Sequence, residues 1–377
     1  MRIEYLTGNI AIAEGAITAG LRFYAGYPIT PSSDIFEYLA KRLPELGGVV
    51  LQFEDEIASI TAVIGASWCC VKSMTATSGP GFSLMLEGLS IAVMTETPLV
   101  VAYIMRTGPA TGVPTKTGQY DVLQATYGFH GGLIIPVLAP STPQEAYDLT
   151  VKAFNISERL RTPVILLSDA TLANTFGKVI LRESNEIEII DRKKPRVPPE
   201  VYRPYEPEED LVPPMACIGD GYDVYVETLT HDERGVYSPT TATQRKLMNR
   251  LYRKIVDHTH EIFEYSMLRT RDPCDYLVIA YGSTALSSSV AVKLLNEENI
   301  RTCLLKLKTL YPIEEHVLRK FSEESTMIFV VENNIGLYYR ELRGVIRDRP
   351  VISIPIIDLE TPDPIEIKEE IRKWVKS

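Results

Sequence analysis

A regular alternation of short apolar runs with helix-period stretches, joined by glycine-rich turns, constrains this chain more than anything else in it. Gly8 to Leu21 reads as an alanine-rich helix, Phe23 to Gly26 as a buried strand, Ile35 to Leu43 as a helix and Val49 to Phe53 as a strand. Ile57 to Cys70 reads as a helix and Lys72 to Thr77 as a strand. Ser78-Gly79-Pro80-Gly81 then opens a helix that runs through Met94. Pro98 to Met105, Leu133 to Leu138 and Val164 to Ser168 read as further strands. A helix from Thr142 to Leu160 separates the last two, opened by Ser141-Thr142-Pro143 with Glu145. Such alternation means a mostly parallel sheet covered on both faces, with ligands outside the carboxyl ends of its strands.

The pattern breaks from about residue 175 to 270. Arg192 to Pro214 is dense in proline and charge, and Thr240 to Tyr265 reads as one long, charged, exposed helix, an arm that wraps a neighbour. Alternation resumes at Asp275, with strands expected at Tyr276 to Ala280, Thr302 to Leu307, Met327 to Val331 and Val351 to Ile357. The expected division is 1–175, 176–270 and 271–377.

Composition narrows the classes. Hydrophobic content of 45% and charged content of 23% over 377 residues suit a globular protein of two or three domains. A net charge of -10 and the lack of a basic stripe argue against nucleic acid, and no apolar run reaches membrane-spanning length. Met1-Arg2-Ile3-Glu4 has no signal-peptide character, so a cytoplasmic location is expected. The five cysteines include no Cys-x-x-Cys pair, which argues against an iron–sulfur cluster held by this chain alone. His258 and His260 would point to different faces of a helix, so no metal site is expected there.

The first strand-to-helix turn is Tyr27-Pro28-Ile29-Thr30-Pro31-Ser32-Ser33-Asp34. Its prolines push Tyr27 and Thr30 toward extended backbone. Ser32, Ser33 and Asp34 are good helix caps, and free N–H groups at the helix start favour an anion. By spacing alone this is an ordinary capped turn. As a string it resembles a motif of the 2-oxoacid:ferredoxin oxidoreductase family, in the alpha subunit that carries the pyrimidine half of a thiamine diphosphate site; the 2-oxoglutarate type is most similar. The fold so implied is α/β: a thiamine-diphosphate-binding, pyrimidine-type parallel-sheet domain plus a smaller α/β domain like the C-terminal domain of transketolase.

Three acids, Glu54-Asp55-Glu56, stand where a helix begins. Helix charging explains them, since carboxylates favour the positive end of the helix dipole. Alternatively, one is a desolvated carboxylate that shares a proton with a ring nitrogen of an aminopyrimidine near neutral pH. The family's register implies Glu56 for that role, with Pro28 and Ile29 as further cofactor contacts. Arg106 ends an apolar strand and opens Thr107-Gly108-Pro109-Ala110-Thr111-Gly112-Val113-Pro114-Thr115-Lys116-Thr117-Gly118-Gln119. Its planar fork suits bidentate contact with a carboxylate, though an ordinary surface ion pair would also account for it. The segment is similar to the family's Arg-Gly-Gly-Pro-Ser-Thr-Gly-x-Pro-Thr-Lys loop, with Thr107 and Ala110 as departures. That resemblance implies that Arg106 and Thr30 bind the carboxylate and keto group of a 2-oxoacid. Lys116 is a candidate for a second, distal carboxylate, against the plain reading of a solvated loop lysine.

Gly219-Asp220-Gly221 followed by Asn249 resembles a diphosphate and magnesium motif, but Asn249 lies in a Lys/Arg-rich helical run and the match reads as coincidence. The resemblance thus implies half an active site. A beta subunit would hold the diphosphate, Mg²⁺ and an iron–sulfur cluster, gamma and delta subunits are possible partners, CoA is the co-substrate and ferredoxin the electron acceptor. Two other readings stay open: half of a different thiamine diphosphate enzyme, transketolase-like or a 2-oxoacid dehydrogenase, and a non-catalytic assembly subunit.

Overall fold

The computed structural model describes residues 2–183, 185–269 and 273–375. The first part runs β1 (Arg2–Thr7), α1 (Gly8–Thr18), β2 (Phe23–Gly26), α2 (Ser33–Glu45), β3 (Val49–Gln52), α3 (Glu56–Trp68), β4 (Ser73–Thr77) and α4 (Gly79–Met94). It continues with β5 (Leu99–Met105), α5 (Val122–Tyr127), β6 (Val137–Leu138), α6 (Pro143–Leu160), β7 (Pro163–Asp169), α7 (Ala170–Asn174) and β8 (Phe176–Leu181). A seven-stranded sheet results, in the order β12-β6-β7-β5-β4-β2-β3, where β12 (Thr309–Tyr311) arrives from the second half of the chain. Every pairing from β6 to β3 is parallel. Strand β5 is buried along its whole length, as a strand covered on both faces must be.

Sequence periodicity matches these elements closely, with three corrections. Strand β6 keeps only Val137–Leu138 of the expected Leu133 to Leu138, because Pro136 has no N–H for a ladder. Strands β1 and β8 form an antiparallel ribbon of their own, which the alternation did not announce. Ser32 stands at the start of α2, but its hydroxyl donates to the Ile29 carbonyl at 2.8 Å and makes no cap bond to the helix.

The second part runs α8 (Thr241–Val256), α9 (Thr259–Ile262), β9 (Tyr265–Arg269), β10 (Tyr276–Tyr281), α10 (Thr284–Glu297), β11 (Thr302–Leu307) and β12. After it come α11 (Glu315–Glu323), β13 (Met327–Glu332), α12 (Tyr338–Val345), β14 (Val351–Pro355) and α13 (Pro364–Val375). Its five-stranded sheet has the order β14-β13-β10-β11-β9, parallel except for β9.

The single exposed helix expected from Thr240 to Tyr265 is instead a helix, a short turn of helix and the start of β9. One face of α8 is buried. Arg250 donates to Glu96 at 2.6 and 2.8 Å, and Lys254 donates to the same carboxylate at 2.7 Å. Farther back, the Arg192 guanidinium pairs with Glu158, also buried, at 2.5 Å. Thus the proline-rich segment and α8 are pinned to this chain's own α6 and to the turn after α4 by charges that are both buried and matched. Cys70–Cys217 and Cys274–Cys303 are disulfides, and Cys69 is free. Spacing in the sequence gave no sign of either pair.

Candidate active site

Strands β2, β3, β4 and β5 lie side by side and parallel, so the loops that leave their carboxyl ends emerge together. Those loops are Tyr27–Ser32, the turn into α3, Ser78–Gly81 and Arg106–Gln119. This is the edge where ligands of such sheets bind.

The three acids before α3 separate by position. Glu54 is exposed, Asp55 caps the helix by accepting from the Ala58 N–H at 2.8 Å, and Glu56 is buried. The cap fixes the register and turns Glu56 inward. Burial raises the pKa of Glu56, and the charge of Asp55 adds to the rise. Helix charging alone would leave such a carboxylate at the surface.

Gly81 makes room for this carboxylate. A Cβ there would stand 2.2 Å from both Glu56 Oε1 and Thr77 Oγ1. The Thr77 and Ser78 hydroxyls beside it are enclosed and have no hydrogen-bond partner. Two residues earlier, Gly79 has φ +39 and a Cβ would come within 3.4 Å of Arg106 Nε. The Ser78–Gly81 turn therefore lies between Glu56 and Arg106 and touches both. As a pattern this turn is a weak signal, a glycine-rich βα connection able to bring backbone close to a ligand; Glu56 and Arg106 on either side give it a place in the site.

Arg106 is buried at the end of β5, and its Nη1 donates to the Thr30 carbonyl at 2.7 Å. The Tyr27–Thr30 turn is held from below by buried Asn9, whose Nδ2 donates to the Pro31 carbonyl at 2.7 Å. Asn9 lies on α1 and carried no motif in the sequence. Tyr27, Pro28 and Thr30 are exposed in this chain, and Ile29 is half-buried. Thr30 and Arg106 are thus brought together, although through the backbone of Thr30.

A cavity of about 350 Å³ opens beside Arg106, lined also by Gly79, Ser83, Asp121 and Gln124. Tyr103 stacks on Phe82 with ring centroids 4.1 Å apart and donates to Gln124 at 2.9 Å. Burial pushes the Asp121 carboxyl up to about 6. Asp121 and Gln124 were not singled out by sequence, since a Tyr-Asp pair in a loop follows no pattern.

The loop after Arg106 is anchored at its far end. Gln119 Nε2 donates to the Tyr281 carbonyl at 2.9 Å, and its Oε1 accepts from Thr284 at 2.9 Å and from the Asn333 N–H at 3.0 Å. The second sheet, through the carboxyl ends of β10 and β13, thereby fixes the loop of the first. Lys116 is paired with Glu360 at the surface and is not among the residues lining the Arg106 cavity. Asp220 is taken by Lys194 at 3.2 Å, and Asn249 sits on α8.

Comparison with known proteins gives the family. A family model described as "Pyruvate flavodoxin/ferredoxin oxidoreductase, thiamine diP-bdg" matches residues 14–250, and "Pyruvate:ferredoxin oxidoreductase core domain II" matches residues 274–360. The chain is 43% identical over 372 residues to the 2-oxoglutarate synthase subunit KorA of Methanocaldococcus jannaschii, covering 98% of this chain and 100% of that one. Among solved structures, it matches 2-oxoglutarate:ferredoxin oxidoreductase from Magnetococcus marinus, solved with 2-oxoglutarate, coenzyme A and succinyl-CoA bound. The TM-score is 0.93 at 32% identity, and the match covers 98% of this chain and 65% of the other. A split-gene transketolase matches at TM-score 0.57 and 11% identity, a likeness of fold alone. The chain belongs to the 2-oxoacid:ferredoxin oxidoreductase family, as an alpha-type oxidoreductase subunit with a thiamine diphosphate-binding domain.

Proposed function

We propose that this chain is the alpha subunit of a 2-oxoglutarate:ferredoxin oxidoreductase, and that it supplies one half of an active site completed by a beta subunit. The observation that carries the reading is the pairing of buried Glu56 with buried Arg106 across the Ser78–Gly81 turn. The overall reaction is oxidative decarboxylation of the 2-oxoacid with CoA to acyl-CoA and carbon dioxide, with electrons passed to ferredoxin.

The residues present fit the pyrimidine end of thiamine diphosphate. Glu56 is a desolvated carboxylate with a raised pKa, Gly81 leaves the space a side chain would fill, and the Thr77 and Ser78 hydroxyls await partners. Pro28, Ile29 and Glu56 would hold it. When bound, thiamine diphosphate supplies the electron sink that a 2-oxoacid needs in order to lose carbon dioxide. Glu56 would hold a proton at a ring nitrogen of the aminopyrimidine, and the burial that raises its pKa favours a shared proton there. Arg106 binds and orients the substrate carboxylate, with Thr30 fixing the guanidinium through its carbonyl. Lys116 would reach a distal carboxylate only by leaving Glu360.

The diphosphate, Mg²⁺ and an iron–sulfur cluster belong to the beta subunit on this reading, with gamma and delta subunits as further partners. On this reading the chain divides into 1–175, 176–270 and 271–377, with residues 270, 271 and 376–377 outside the described ones. A cytoplasmic location is proposed; no described helix is long and apolar enough to cross a membrane.

The test is reconstitution with a beta-type subunit, thiamine diphosphate, Mg²⁺ and CoA, read as 2-oxoglutarate-dependent reduction of a viologen dye. Activity that needs both subunits is expected. Reduction of NAD instead would favour a 2-oxoacid dehydrogenase half. Full activity of the partner without this chain would leave it an assembly subunit.

A further inference from the structure

We propose that Asp121 is a positioning residue for the anionic substrate: it takes up a proton as a 2-oxoacid carboxylate settles on Arg106, so that substrate binding and protonation are linked. The inference rests on the functional reading above and adds to it a group that acts through Arg106.

Two residues that line one cavity each carry an enclosed polar atom without a hydrogen-bond partner. Asp121 begins α5 but makes no cap bond with its side chain, and its Oδ2 has no partner. Arg106 spends Nη1 on the Thr30 carbonyl and leaves Nε without a partner. Both residues line the same space of about 350 Å³. A buried donor and a buried acceptor left unpaired are each costly, which makes this a place built to receive something.

The chemistry follows from charge. An ionised Asp121 offsets the field of Arg106 and opposes an incoming carboxylate. A protonated Asp121 leaves the guanidinium charge uncompensated and offers an O–H donor. The proton comes from solvent and returns to it when the substrate leaves, so nothing else is consumed. Burial already pushes Asp121 up to about 6, against the opposing pull of Tyr103, the Arg106 N–H and the Arg106 charge. Tyr103 on β5 and Arg106 just past its end face it, and Tyr120 lies just before it in the chain. Burial raises both tyrosines, and the remaining lining residues do not titrate, so near neutrality Asp121 alone changes charge there. Glu56, which burial also raises, does not line this cavity.

The experiment uses the reconstituted holoenzyme with 2-oxoglutarate, and measures KM for 2-oxoglutarate and for CoA across neutral and mildly acidic pH. In wild type the KM for 2-oxoglutarate is expected to stay level below about 6. Above that it should rise by up to about tenfold per pH unit, while the KM for CoA does not follow. Asp121→Asn should remove the rise, and Asp121→Glu should keep it with a shifted midpoint. A wild-type KM that is level throughout, or the same rise in Asp121→Asn, would overturn the inference. Should neither variant assemble, a wild-type KM that stays level throughout still overturns the inference. No 2-oxoglutarate turnover by wild type at any pH would overturn the functional reading itself, and the inference with it.

Discussion

Arg106 Nη1 donates to the Thr30 carbonyl at 2.7 Å, tying the end of β5 to the turn that follows β2. The bond holds a buried guanidinium in one orientation, with β4 between the two strands. A fork fixed in this way loses little freedom when a carboxylate binds it.

Arg106→Ala should therefore raise the KM for the 2-oxoacid. Losing a charge-assisted hydrogen bond costs about 1.5–3 kcal/mol, or roughly ten- to a hundredfold in KM. Arg106→Lys should recover only part of this, because an ammonium cannot present two parallel donors. Steady-state kinetics of the holoenzyme check both, and an unchanged KM would remove Arg106 from the carboxylate site.

Glu56→Gln should lower kcat by about a hundredfold or more, the usual contribution of a positioned proton-transfer group. Thermal stability should hold or improve. Burial raises the pKa of Glu56, so above the ordinary carboxylate pKa its ionised form opposes folding, and glutamine removes that cost. Calorimetry and turnover on one preparation separate the two effects. A large fall in Tm would mean that Glu56 is structural.

Glu96→Gln should do the reverse, leaving the chemistry alone and weakening the fold. It strands Arg250 and Lys254, both buried, without their counter-charge. Breaking such a cluster costs about 3–5 kcal/mol. The flanking cations hold Glu96 far below the ordinary carboxylate range. Its contribution is present above the ordinary value of 4.5 and is lost as pH falls toward its folded value, so the gap between wild type and variant should narrow in acid. Denaturant melts at two pH values would show this.

Much of this architecture was legible because period and position coincide. Phe23–Gly26 and Leu99–Met105 are buried strands bounded by turns, and the run of acids before α3 placed Glu56 at a helix start. What escaped depends on contacts distant in sequence. Glu96 sits in a plain turn, and its partners lie on a helix so rich in Lys and Arg that its buried face was masked. In the ribbon of β1 and β8, Ile3, Tyr5 and Phe176 are exposed and only Leu6, Val179 and Leu181 reach the core, too short an alternation to announce a strand pair. Asn9 matters through the Pro31 carbonyl it holds and Asp121 through the cavity it lines, and no local spacing encodes either.

Two glycines test whether space around Glu56 is the requirement. A Cβ on Gly81 would stand 2.2 Å from the carboxylate oxygen, while one on Gly65, in the same helix as Glu56, would meet nothing within 4 Å. Gly65→Ala should stabilise the protein by about 0.5–1 kcal/mol, because alanine loses less freedom in a helix, with turnover unchanged. Gly81→Ala should displace Glu56 and cut kcat severely, since small misplacements of a catalytic group cost about a hundredfold. The KM for the 2-oxoacid should move less than kcat, because Arg106 touches Gly79 rather than Gly81. A Gly81→Ala enzyme with normal kcat would mean that the carboxylate need not lie against this turn. The link between α3 and the Ser78–Gly81 loop would then be packing alone.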